Sequence, residues 1–154
     1  MKKPKTLKAV LLGAVPAIAA DPTKLSMFID KGRICARRTR SLAFEYRYTL
    51  SLVVMDYAGE VDDLIVPILA WVADQQPDLL ERGEQEPFKF ESEILDTNAA
   101  DVSIEIELTE RVLVERVDGG LKVTHLGEPP RLSDDFDGAE GVSPWRGVLD
   151  EQQG

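Results

Sequence analysis

The chain has 154 residues and a formal net charge of −10 at pH 7, with 44% hydrophobic and 30% charged side chains. That length and balance suit one self-sufficient globular domain and exclude a disordered chain. A single cysteine, Cys35, excludes an internal disulfide and any multi-cysteine zinc site, and with His125 as the sole histidine the soft-metal and histidine-dependent nucleophile chemistries lack raw material. What remains is a binding or assembly role. Residues 1–40 hold ten Lys/Arg against two acids, a net of +8, which leaves −18 for the remainder. Such polarity suits nucleic acid on the basic side, a head-to-tail contact in which one subunit's basic end meets the next subunit's acidic face, or a solvated surface without a partner.

The N-terminal 21 residues combine a basic start, an apolar stretch over 9–20 and an Ala17-Ile18-Ala19 tripeptide, imitating a secretory signal. Gly13 and Pro16 interrupt that stretch, and Leu7, Leu11, Ala14 and Ile18 fall at helical spacing, so the competing expectation is a helix over 5–20 with one face in a core. No stretch reaches the ~18 apolar residues of a membrane span. After Asp21-Pro22-Thr23 a shorter helix is expected over 24–31, ended by Gly32, and residues 33–41 read as a basic connector.

Strict alternation then sets in. Phe44, Tyr46, Tyr48, Leu50, Leu52 and Val54 point one way and Glu45, Arg47, Thr49 and Ser51 the other, which predicts a long half-buried strand. A turn at Asp56-Tyr57-Ala58-Gly59 leads to a helix whose first turn carries Glu60, Asp62 and Asp63, and whose buried stripe is Leu64, Ile65, Ile68, Leu69 and Val72; Pro67 implies a start near Val66 or a kink. Further strands are expected over 88–94, 102–108 and 111–117, the last turning at Asp118-Gly119-Gly120 into a return strand through Leu121 and Val123. The order α, β, α and a run of β predicts an α+β fold, an antiparallel or mixed sheet with two main helices packed on one face. Residues 1–127 form the expected single domain, and 128–154, rich in Asp, Gly and Pro with Trp145 as an anchor candidate, an acidic flexible tail.

Chemistry-bearing patterns are sparse. Glu105 and Glu107 sit two residues apart on one strand face, where a solvated sheet also places its charges. Asp62-Asp63 suits a helix dipole better than a cation, and no phosphate-binding glycine loop or dinucleotide fingerprint is present. The cluster Arg33, Arg37, Arg38 and Arg40 could grip phosphates, pair with a carboxylate-rich neighbouring surface, or lie in a solvated loop. Aromatics able to stack bases lie on the expected buried face, which disfavours a nucleic-acid reader.

The segment Ser41-Leu42-Ala43-Phe44-Glu45-Tyr46-Arg47-Tyr48-Thr49-Leu50, followed by Val53-Val54-Met55-Asp56-Tyr57-Ala58-Gly59, by Leu64-Ile65-Val66-Pro67-Ile68-Leu69-Ala70-Trp71 and by Gln76-Pro77-Asp78, resembles the tail completion protein R family of P2-like contractile-tailed bacteriophages. A second block, Leu108-Thr109-Glu110-Arg111, Leu113-Val114, Val117-Asp118-Gly119 and Glu128-Pro129-Pro130, is similar to the same family in the same order. The resemblance spans about residues 5–130 and implies a structural protein without catalysis, cofactor or metal, acting at the head-proximal end of the tail with a second completion protein. It implies a fold like that of tail terminators, which assemble as a hexameric ring on the tail tube. The partners it implies are other copies of the chain, the tube or sheath protein and the neck, with no membrane and with DNA only passing through the ring. It places the protein in the host cytoplasm during assembly and in the virion tail afterwards.

On that reading Arg33, Arg37, Arg38 and Arg40 on one side and Glu105 and Glu107 on the other are the candidate interface. Two rivals stand beside it: a secreted periplasmic binding module cut after Ala19, and an enzyme working through acidic residues with a divalent ion.

Overall fold

The computed structural model describes residues 1–37, 42–81 and 86–128. Its elements in chain order are α1 (Lys3–Ala14), α2 (Pro16–Ala20), β1 (Leu25–Ala36), β2 (Phe44–Tyr57), α3 (Asp62–Gln75), β3 (Lys89–Ile94), β4 (Ala100–Val117) and β5 (Gly120–Leu126), with short 3-10 turns at Pro22–Lys24 and Pro77–Leu80. The five strands form one antiparallel sheet of order β1-β2-β4-β3, with β5 also on β4. The two main helices, α1 and α3, cover one face, so the chain is α+β as its element order predicts.

Alternation builds the core. Tyr48, Leu50, Leu52 and Val54 of β2 lie beside Leu108, Ile106, Ile104 and Val102 of β4, all buried. Above them pack Leu7, Leu11, Val15 and Ile18 from α1, α2 and the residue between, and Leu64, Ile68, Trp71 and Val72 from α3. Asp62 and Asp63 occupy the first turn of α3, where the free backbone N–H groups favour negative charge. Pro67 lies within that helix and does not end it; lacking an N–H, it leaves the Asp63 carbonyl without its usual partner. Of the residues expected in the core, Phe44, Tyr46 and Leu69 are half-buried, while Tyr48 and Trp71 are buried.

Four expectations need correction. The helix expected over 5–20 is broken at Val15, which is extended because Pro16 restarts the chain; Val15 therefore enters the core where Ala14 was expected, and Ala14 is exposed. The apolar N-terminal stretch is thus core, and cutting after Ala19 would remove four core side chains. The second helix, expected over 24–31, is the first half of β1, and the connector expected over 33–41 begins as its second half. Phe28 and Ile29 are both exposed although they point to opposite faces, so this edge strand lacks the one-sided apolar pattern that marks a strand. The strands expected over 102–108 and 111–117 are a single 18-residue strand, β4. Residues 38–41 and 129–154, which hold Arg38, Arg40 and Trp145, lie outside the described residues.

Candidate assembly interface

Of the charged candidates, Arg33, Glu105 and Glu107 lie on the sheet face opposite the helices. Arg33 is exposed on β1, across from Arg47 of β2, and Arg37 is exposed immediately after β1. Glu105 and Glu107 are exposed on β4, across from Ser51 and Thr49. The basic and acidic sets are therefore three strands wide on one surface. Arg33 and Glu107 line the same open groove of about 700 Å³, together with Arg47, Arg111, Asp78 and Glu128. Glu105 lines a smaller cleft with Lys31, Lys89 and Glu107, and Arg37 a third depression with Ile34, Cys35, Phe44 and Leu126. Arg47 is held along this face by a 2.7 Å ion pair to Glu45.

Behind the groove lies a polar cluster that sequence reasoning missed. On one flank of β4, β3 pairs with residues up to Glu105 and β5 with residues from Arg111 onward, so the backbone between them has no strand partner on that side among the described residues. Side chains supply the bonds. Gln76 Oε1 accepts from the Thr109 N–H at 3.1 Å and from Lys3 Nζ at 2.6 Å, while Gln76 Nε2 donates to Thr109 Oγ1 at 3.0 Å and to Asp78 Oδ1 at 2.7 Å. Lys3 Nζ spends its other two protons on the Thr109 carbonyl at 2.6 Å and Glu128 Oε2 at 3.0 Å. Both groups are fully matched, which is what permits an ammonium to sit in a side chain only 8% exposed.

Glu110, 4% exposed on the helix side of β4, accepts from the Lys2 and Lys3 backbone N–H groups at 2.9 and 3.2 Å and from the Tyr48 hydroxyl. These are the free donors at the start of α1. Burial alone would push the Glu110 carboxyl up, but the bonds from Lys2, Tyr48 and Lys3 with the nearby N-terminal charge outweigh it and hold the group below the ordinary glutamate value. The Tyr48 phenol moves the other way, raised by burial and by its bond to that carboxylate. His125 Nδ1 lies 3.9 Å from Glu110 Oε1 and is buried with no hydrogen-bond partner among the described residues. The signal for Glu110 was its register: it takes an apolar position in the series Val102, Ile104, Ile106, Leu108, 110, Val112, Val114, visible only when β4 is read as one strand.

Among the described residues no group of three or more His, Cys, Asp or Glu side chains is placed to hold a metal ion. No described helix is long and apolar enough to cross a membrane. The sheet surface is a broad mixed-charge face backed by a hydrogen-bonded polar cluster.

The profile of the family described as P2 phage tail completion protein R matches residues 1–129. The chain belongs to the P2 phage tail completion protein R family. Among curated proteins it is similar to Tail completion protein R of Escherichia phage P2, 42% identical over 132 residues that cover 84% of this chain and 85% of that protein. No solved structure matches the chain. The family match takes in every described element, including the N-terminal helices and the β4–β5 hairpin.

Proposed function

We propose that this chain is a structural protein that finishes a contractile phage tail at its head-proximal end, assembling there as a hexameric ring. The observation that carries the reading is the family match over residues 1–129, supported by the curated relative named for tail completion in phage P2. One face of the ring would match the last layer of tube or sheath and stop its growth. The other would present a surface to the neck and to a second completion protein, with DNA passing through the centre. The work is geometric and needs no catalytic group, cofactor or metal. Assembly would take place in the host cytoplasm and end in the virion tail.

Residues 1–127 form the completion domain in this account, and 128–154 extend from it. The contrast between the basic N-terminal third and the acidic remainder favours a head-to-tail contact. Arg33, Arg37, Arg38 and Arg40 of one subunit would face the carboxylate-bearing surface around Glu105 and Glu107 of the next. Changing Arg37→Glu together with Arg38→Glu should leave the fold intact and abolish ring formation, read by circular dichroism and light scattering. Unchanged assembly of the folded double variant would remove these residues from the contact. For the role itself, a phage deleted for this gene should yield lysates of tails unattached to heads in electron micrographs, restored by the full chain in trans. Normal joined particles from the deletion would contradict it.

A further inference from the structure

We infer that copies of this chain join edge to edge through their sheets, β3 of one copy pairing with β1 of the next. The inference rests on the ring-assembly reading and assigns its interface. The two strands are the opposite edges of the β1-β2-β4-β3 path, and neither has a second strand partner among the described residues. The unpaired N–H and C=O groups of such an edge can accept another strand. Four antiparallel strands also fix direction: β1 and β3 run opposite ways, so β3 beside the next copy's β1 is an antiparallel pair.

Apolar exposure points to the same two edges. On the helix side of the sheet Phe90 and Ile94 of β3 are 55% and 78% exposed, and Ile29 and Ile34 of β1 are 46% and 61% exposed. By register these side chains belong to the core face, since Phe90 lies beside Ile104 and Ile29 beside Leu50, yet this chain's own helices leave them uncovered. A continuous sheet would carry that apolar layer from one copy into the next.

The interruptions of the two edges also match in height. The β1 edge is broken by a bulge between Asp30 and Arg33, where Lys31 has φ 55°. Through Thr49 and Arg47 those positions are level with Glu107 and Thr109, which is where the opposite flank of β4 lacks a strand. Residues 25–28 are thus level with residues 89–92 of β3, and the bulge is level with the gap. Within one chain Lys31 and Arg33 line a groove with Asp78, Glu107 and Glu128, and copies related by rotation without rise would bring the neighbour's Lys31 and Arg33 beside the flank of β4 that lacks a strand. Lys24 would fall near Glu93. Basic side chains meet acidic ones along the contact.

Cross-linking of the full chain tests this. Glu91, Ser103, Val53 and Ser26 form one row on the charged face. Within a chain Glu91 and Ser26 are therefore three strand spacings apart, roughly 14 Å, beyond the ~7 Å reach of a disulfide. In the Cys35→Ser background, Ser26→Cys with Glu91→Cys, or with Glu93→Cys to cover a shift of two residues, should give on mild oxidation a ladder of covalent oligomers. Either cysteine alone should give no species beyond a dimer. Oligomers by light scattering with no ladder from either pair would overturn the edge pairing while leaving ring assembly standing. A chain that remains monomeric and unlinked, also when mixed with purified tail tubes, would overturn both.

Discussion

Lys3 and Glu110 tie the start of the chain to the middle of the sheet, and each is buried with its hydrogen-bonding capacity met from distant segments. Replacing Lys3→Met keeps the aliphatic bulk but strands Glu128 and the Thr109 carbonyl, and should cost on the order of 3 kcal/mol in urea unfolding. Glu110→Gln should cost about 1–3 kcal/mol at neutral pH, because a neutral amide replaces the acceptor of two backbone N–H groups and a phenol. The pH dependence has a definite sign. A carboxyl whose folded pKa lies below its unfolded value of about 4.3 contributes stability above that value and loses it as pH falls through the folded pKa. The gap between the parent chain and Glu110→Gln should therefore narrow below about pH 4; a gap that is constant from pH 7 to 3 would show that the charge of Glu110 contributes nothing. These residues were illegible in sequence because their partners are up to 125 positions away, and a basic N-terminus reads as solvated until its acceptors are known.

Among the elements, β2, α3 and the β4–β5 hairpin follow directly from local patterns. β2 alternates cleanly because one of its faces is core and the other polar. The hairpin turns where Gly119 takes φ +88°, a conformation that disfavours side chains with a Cβ. The first half of β1 reads as a helix and the second as a connector because an edge strand with Phe28 and Ile29 exposed on opposite faces has no period-two signal, and its alternation is further broken by the bulge at Lys31. β4 was divided because Glu110 looks polar where the series demands an apolar residue. The N-terminal stretch shows how packing settles what composition leaves open: Leu7, Leu11, Val15 and Ile18 are almost fully buried against the sheet and α3. The indole N–H of Trp71 donates to Thr6 Oγ1 at 3.0 Å across that contact. Leu11→Ala should destabilise the domain by about 2–5 kcal/mol in urea unfolding. A change under about 0.5 kcal/mol, the range of surface substitutions, would mean that α1 does not pack as described.

At the scale of the whole molecule, the charge asymmetry and the uncovered apolar edges converge on association between copies. One chain presents a basic edge at β1 and an acidic flank around Glu93, Glu107 and Glu128, at opposite sides of the same sheet. Contacts between unlike surfaces propagate and close only when the rotation allows it, as the proposed ring would require. Screening by salt weakens such contacts where they are exposed, with a Debye length of about 8 Å at physiological ionic strength. Assembly should accordingly be stronger at low salt, and a salt-independent assembly would assign the contact to the apolar edge residues alone. The most direct measurement is the solution mass of the full-length protein by light scattering after size exclusion, at low and at physiological salt. The account predicts a closed oligomer of six times the 17.1 kDa chain, favoured at low salt; a species that stays at the monomer mass at both salts, and also when mixed with purified tail tubes, would contradict it.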